Sequence, residues 1–113
     1  INDGKGGFKR IDLPEELQQA PIFSFAPFEH NGITSYLAAG NFYNVIPYEG
    51  RYDALQPSFF SYNKTSSTFQ YNSELASIAG QARDAKWINY AGGGKVLIIG
   101  RNNQPLIFLK PTN

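Results

Sequence analysis

The chain has 113 residues, ten Lys and Arg against nine Asp and Glu, and a formal net charge of +1, so it carries neither the basic stripe that binds phosphate backbones nor the acidic excess of a solvating tail. The absence of cysteine excludes a thiol nucleophile, a thiolate metal site and an iron–sulfur cluster, and leaves the redox compartment open. Apolar residues reach 42% and aromatic residues 15%, enough for the core of a single domain or a piece of a larger one, while apolar runs of about five residues fall far short of the roughly 20 that span a bilayer as a helix.

In chain order, polar turns alternate with short runs of aromatic and β-branched residues at a period of two. Ile1 stands in a glycine-rich turn sequence, which puts the native start and any signal peptide outside this stretch. Asn2 to Gly7 reads as a turn leading into a strand at 8–13. In Pro14-Glu15-Glu16-Leu17-Gln18-Gln19 a first-turn proline precedes two acids, a helix start that Pro21 stops after little more than one turn. Further strands are predicted at 22–28, 34–39, 58–62, 68–72, 83–89, 95–100 and 106–110, each of residues that suit a pleated surface and each bounded by Gly, Pro or Asn.

Sliding the chain against itself by about 60 residues brings out an internal repeat. Asn2–Phe8 falls on Asn63–Phe69, and Ser35–Asn41 falls near Lys95–Arg101 with Gly40 matched to Gly100. Eight strands in two sets of four are the arithmetic of two propeller blades, divided here as 1–62 and 63–113 within one structural unit. A ring typically takes about four to eight blades. The expected fold is therefore all-β, two four-stranded antiparallel propeller-blade-like sheets forming a fragment of a larger β-propeller, with faces buried against each other or another chain.

Four ordered blocks, Gly40-Asn41-Phe42-Tyr43, Pro47-Tyr48-Glu49-Gly50-Arg51-Tyr52-Asp53-Ala54, Gly80-Gln81-Ala82-Arg83-Asp84 and Gly100-Arg101-Asn102-Asn103-Gln104-Pro105-Leu106, together resemble the C-terminal region of bacterial VCBS/FG-GAP repeat proteins. Asp3-Gly4-Lys5-Gly6-Gly7-Phe8, with Leu13-Pro14 and Ala20-Pro21 after it, is similar to an inter-strand hairpin and connection of the same family, so the likeness covers nearly the whole chain. The resemblance implies a secreted, periplasmic or cell-surface β-propeller of the kind found in Bacteroidota, one that binds or adheres rather than catalyses. The family's Asp-rich calcium loop is not matched. Phe28 to Thr34 holds one carboxylate, Glu29, and Tyr90 to Lys95 holds none, too few oxygen ligands for a hard cation. No metal and no cofactor are expected.

In an extended segment Glu49, Arg51 and Asp53 share one face while Tyr48 and Tyr52 point to the other. With Tyr43 these residues are the candidate ligand-binding set: a polar platform flanked by aromatic rings that suits a carbohydrate or a protein. The alternative is an ion-pair knot pinning a long loop, the commoner use of an Arg–carboxylate fork; Arg83-Asp84 carries the same two readings and leans to structure. A glycosidase needs one carboxyl group protonated, and Arg51 between Glu49 and Asp53 would hold both ionised. His30, beside Asn31-Gly32, is the one histidine and reads as a solvent-exposed turn residue. Without a second ligating group it makes no transition-metal site, and no G-x-S-x-G elbow occurs. Gly92-Gly93-Gly94-Lys95 runs into Val96, which makes it a hairpin turn rather than a phosphate loop. Asn63-Lys64-Thr65 fits the N-glycosylation pattern and reads more simply as a hairpin tip.

The expectation is a non-catalytic binding or adhesion module, with a purely structural pair of terminal blades as the alternative and a glycan-active enzyme as a distant third. Nucleic acid and a membrane span are not expected. Self-association is, because Ile22–Phe25 and Leu106–Leu109 carry almost no charge to blunt an exposed edge or face.

Overall fold

The computed structural model describes residues 1–30, 32–41, 55–74 and 78–111. A short 3₁₀ turn, Glu15–Gln18, precedes seven strands: β1 (Ile22–His30), β2 (Ile33–Gly40), β3 (Ser58–Asn63), β4 (Thr68–Glu74), β5 (Ala82–Tyr90), β6 (Gly94–Arg101) and β7 (Ile107–Leu109). They form two antiparallel meanders, β1-β2-β3-β4 and β5-β6-β7. The helical turn is as short as the flanking prolines dictate. It is closed by the bond from Leu17 N to the Pro14 carbonyl at 3.0 Å, and proline cannot continue a helix.

Three expectations are corrected. Residues 8–13 form no strand: Asn2 and Phe8 make an isolated bridge and Ile1 and Lys9 exchange backbone bonds at 2.7 and 2.8 Å, but among the described residues the pairing goes no further, and Arg10 and Asp12 are exposed. The second sheet has three strands among the described residues instead of four. And β4 pairs with β3 through the turn at 64–67, so the change of sheet falls between Glu74 and Ala82, whereas a division at 62/63 would cut a hairpin in two.

The repeat itself has a structural counterpart. β1 and β5 are nine residues each, and each carries a bulge at its second residue, between Ile22 and Ser24 in one and between Ala82 and Asp84 in the other. The residue after β2 bonds back across the start of its hairpin, Asn41 N to the Pro21 carbonyl at 3.0 Å, and Asn102 N does the same to the Gln81 carbonyl at 2.9 Å. Gly40 is obligatory beside that first bond: a Cβ there would overlap the Pro21 carbonyl. At the other end the turns differ in length. His30 pairs with Ile33, and Tyr90 pairs with Gly94, leaving room in the second for Gly92 and Gly93 at φ of 114° and 83°, backbone that only glycine adopts freely.

Side-chain alternation divides each sheet into two faces. Ala26, Leu37, Ala39 and Phe59 of the first sheet meet Ala85, Trp87, Leu97, Ile99, Ile107 and Leu109 of the second in one core. On the far face of the first sheet, Tyr36, Ala38, Phe60, Phe69 and Tyr71 are covered in part by Leu13, Leu17, Ala20 and Leu55. Pro27 stands in β1, the edge strand of its sheet, where a missing N–H is tolerated.

Candidate functional site

The hairpin turns 30–33, 63–68 and 90–94 all lie at one end of the two meanders, as antiparallel pairing of consecutive strands requires. At that end the sheets do not match in width. The second sheet's third strand is only three residues long, so the lower part of β3 and β4 extends past it. A cleft of about 620 Å³ opens there between the sheets.

Its floor is aromatic. Phe28 of β1 meets Phe59 of β3 edge to face at 5.3 Å and Trp87 of β5 at 5.8 Å with the rings tilted by 51°; all three are half-buried. Such offset arrangements satisfy the ring quadrupoles while leaving faces open to a ligand. The rim is polar. Ser35 and Ser61 stand directly opposite each other on β2 and β3, in line with Leu37 and Phe59, so the same face changes from apolar to hydroxyl-bearing as it emerges from the core. Ser61 Oγ donates to Asn72 Oδ1 at 3.2 Å. Glu29 and Lys95, both exposed, close the wall from the two hairpins.

Trp87 is the chain's one tryptophan. Its indole Nε1–H is shielded from solvent and has no acceptor among the described residues. An unmet buried donor is destabilising by roughly 1–3 kcal/mol.

The opposite end of the molecule is a fastening. Asn41 is buried, at φ 81°. Its Nδ2 donates to the Gly80 carbonyl at 3.2 Å and its Oδ1 accepts from Leu55 N at 3.0 Å, tying the first sheet to the approach to the second. Nearer the middle, the bulges of β1 and β5 meet. Ser24 Oγ donates to Asp84 Oδ1 at 3.2 Å and accepts from Ala85 N at 3.0 Å. The Lys86 ammonium, 3.1 Å from Asp84, and then the Ser24 hydroxyl hold the Asp84 carboxyl below its ordinary value. Arg83 lies over the Phe23 ring at 4.4 Å and donates to Gln81 Oε1 at 2.9 Å. Arg83 and Asp84 thus both make contacts that join β1 to β5.

The predicted binding residues Tyr43, Tyr48, Glu49, Arg51, Tyr52 and Asp53 lie outside the described residues. The described chain stops at Asn41 after β2 and resumes at Leu55 ahead of β3, and these two residues are joined at the fastened end. The cleft residues Phe28, Phe59 and Trp87 were not singled out by sequence, although each stands at an alternate position of a predicted strand. Among the described residues no group of three or more His, Asp or Glu is arranged to hold a metal ion. No known protein family, curated protein or solved structure matches the chain.

Proposed function

We propose that the chain is a non-catalytic binding module that takes a saccharide unit in the cleft between its two sheets, and that the sheets are blades of a propeller-type array in a secreted or cell-surface bacterial protein. The observation that carries the ligand class is the cleft's composition. Three half-buried aromatic rings form its floor, and hydroxyl, amide, ammonium and carboxylate groups form its rim. Sugars offer the matching surface: C–H faces that pack on rings, ringed by hydroxyls that both donate and accept. Glu29 is the one carboxylate lining the cleft among the described residues, whereas glycoside hydrolysis runs on two, which favours binding over turnover.

The blade reading is supported by two meanders packed face to face with their first strands adjacent at Ser24 and Asp84, the arrangement of neighbouring blades. The bacterial and extracellular assignment rests on the family resemblance of the sequence motifs alone.

Trp87 supplies the test, because any change in tryptophan emission reports from the cleft. Titration with a panel of neutral and acidic oligosaccharides is expected to give a saturable change in emission for at least one of them, weakened several-fold in Lys95→Ala and in Glu29→Gln. Emission unchanged by every member of the panel at millimolar concentration would leave the pair of sheets as structural blades and remove the binding site.

A further inference from the structure

The far face of the first sheet is closed at one end and open at the other. Its rings stand in rows across β2, β3 and β4: Tyr36 is opposite Phe60, and Tyr62 is opposite Phe69 two residues nearer the hairpin turns. Leu17 and Leu55 close the upper part, where Ala38 and Phe60 are buried. Nearer the turns the cover ends. Tyr36, Tyr62 and Phe69 are half-buried and line a hollow of about 510 Å³. It lies behind the cleft, on the other side of the same sheet, because Tyr36 and Tyr62 alternate along their strands with Ser35 and Ser61.

Phe69 holds the rings of this hollow in place. It meets Tyr62 at 5.2 Å, and Phe60 and Tyr36 edge to face at 5.4 and 6.2 Å, while Tyr36 stacks on Phe60 at 5.2 Å. Rings fixed by one another lose little freedom when a ligand arrives. The polar groups around them are uncommitted. The hydroxyls of Thr34, Tyr36 and Tyr62 and the side-chain amide of Gln70 line the hollow and make no hydrogen bond among the described residues. Lys64 is the one charged side chain that lines it, without an ion-pair partner and with no carboxylate beside it among the described residues.

We propose that this hollow is a second saccharide site, selective for a sugar unit that carries a carboxylate or a sulfate. The fixed rings offer a surface to the C–H face of a pyranose. Phenol, threonine and amide groups offer donors and acceptors to its hydroxyls. The Lys64 ammonium offers a charge-assisted bond to the anionic group, with no neighbouring carboxylate to repel it. The cleft carries Glu29 as well as Lys95 on its rim and gives an anion no such net attraction. Because the two sites lie on opposite faces of one sheet, a single sugar unit cannot fill both, and the second site stands whether or not the cleft takes a ligand.

Titration with trigalacturonate and with sulfated galactotriose tests it, the methyl ester of the first and the unsulfated form of the second serving as neutral controls. NMR reads the two sites separately, at the ring resonances of Tyr62 and Phe69 for the hollow and at the Trp87 indole N–H for the cleft. At least one of the two acids is expected to shift the Tyr62 and Phe69 resonances saturably. That binding is expected to weaken several-fold in the matching neutral sugar, in Lys64→Ala and on addition of salt, which screens exposed charges. Tyr62→Ser is expected to remove the shift at Phe69 and to leave any response of Trp87 as in the wild type. Near-UV circular dichroism checks the fold of that variant, and Lys64, exposed in the turn at 64–67, gives a second variant if Tyr62→Ser is perturbed. Tyr62 and Phe69 resonances unmoved by both acids at millimolar concentration overturn the inference, and so does a response confined to Trp87. Equal shifts for acid and neutral sugar, unchanged in Lys64→Ala, overturn the assignment of an acidic unit.

Discussion

The hairpins β1–β2 and β5–β6 share their bulge, their length of first strand and the backbone bond that closes their open end, yet their surroundings differ. The first is held on both faces, by the second sheet on one and by residues 13–20 on the other. The second is held by the first sheet on one face, and its other face is more open among the described residues, with Ile88 at 44% exposure. Their closing asparagines diverge in the same sense. Asn41 is buried with two side-chain bonds to backbone groups, whereas Asn102 is exposed. A repeat fixes backbone geometry, and the neighbours decide how much each copy of a residue contributes.

Substitution at matched positions sharpens that contrast. The largest difference is expected between Leu37→Ala and Ile98→Ala, which occupy the same place in the two hairpins. Leu37 is fully buried, so truncation leaves a cavity and costs about 3 kcal/mol. Ile98 is half-buried and its truncation costs about 1 kcal/mol in the monomer. Chemical denaturation at low protein concentration measures both, and equal losses would mean that the second sheet's outer face is covered after all. Next comes Asn41→Ala against Asn102→Ala. The first strands the Gly80 carbonyl and the Leu55 N–H in the interior and leaves a left-handed backbone without the side chain that favours it, a loss of about 2 kcal/mol. The second is expected within about 0.5 kcal/mol of wild type, as for most exposed sites.

The smallest effect concerns pH. Asp84 is held below the ordinary carboxylate value of 3.8 by Lys86 and Ser24. Its stabilising effect is therefore complete above that value and is lost as pH falls through the lowered one. Melting temperatures of wild type and Asp84→Asn should lie apart at neutral pH and converge on acidification below about pH 4. A gap that persists in acid would assign the effect to packing at the β1–β5 junction instead of charge.

The strands were legible because alternation and bounding Gly, Pro and Asn residues are local. Predicted strands at 22–28, 34–39, 58–62, 68–72, 83–89, 95–100 and 106–110 each have an observed counterpart. The period of the repeat was legible too, while its phase was not. An offset of about 60 says how far apart equivalent residues are, but not where a unit begins, and assigning 68–72 to the second sheet was an error of phase. Residues 8–13 failed for another reason: Phe8, Ile11 and Leu13 resemble a strand, but a strand extends only as far as its partner, and the pairing with Ile1 and Asn2 ends at Lys9 among the described residues. The site was the least legible part. Phe28, Phe59 and Trp87 come together from three strands and two sheets, and no local pattern marks a convergence that depends on one sheet being narrower than the other. The role of Asn41 had a partial signal in Gly40-Asn41, a dipeptide suited to unusual backbone angles.

Pro27 gives the molecule one more property. It stands near the centre of β1, the strand whose outer side has no hydrogen-bonded neighbour in its own sheet among the described residues. A proline there makes a poor template, because a strand arriving from solution meets a rigid ring and a position with no N–H to offer. Uncontrolled lengthening of the sheet, the route by which exposed strands seed fibres, is thereby discouraged at the edge where nine residues would otherwise invite it. A Pro27→Val chain is the one in which thioflavin-positive aggregates would be sought first.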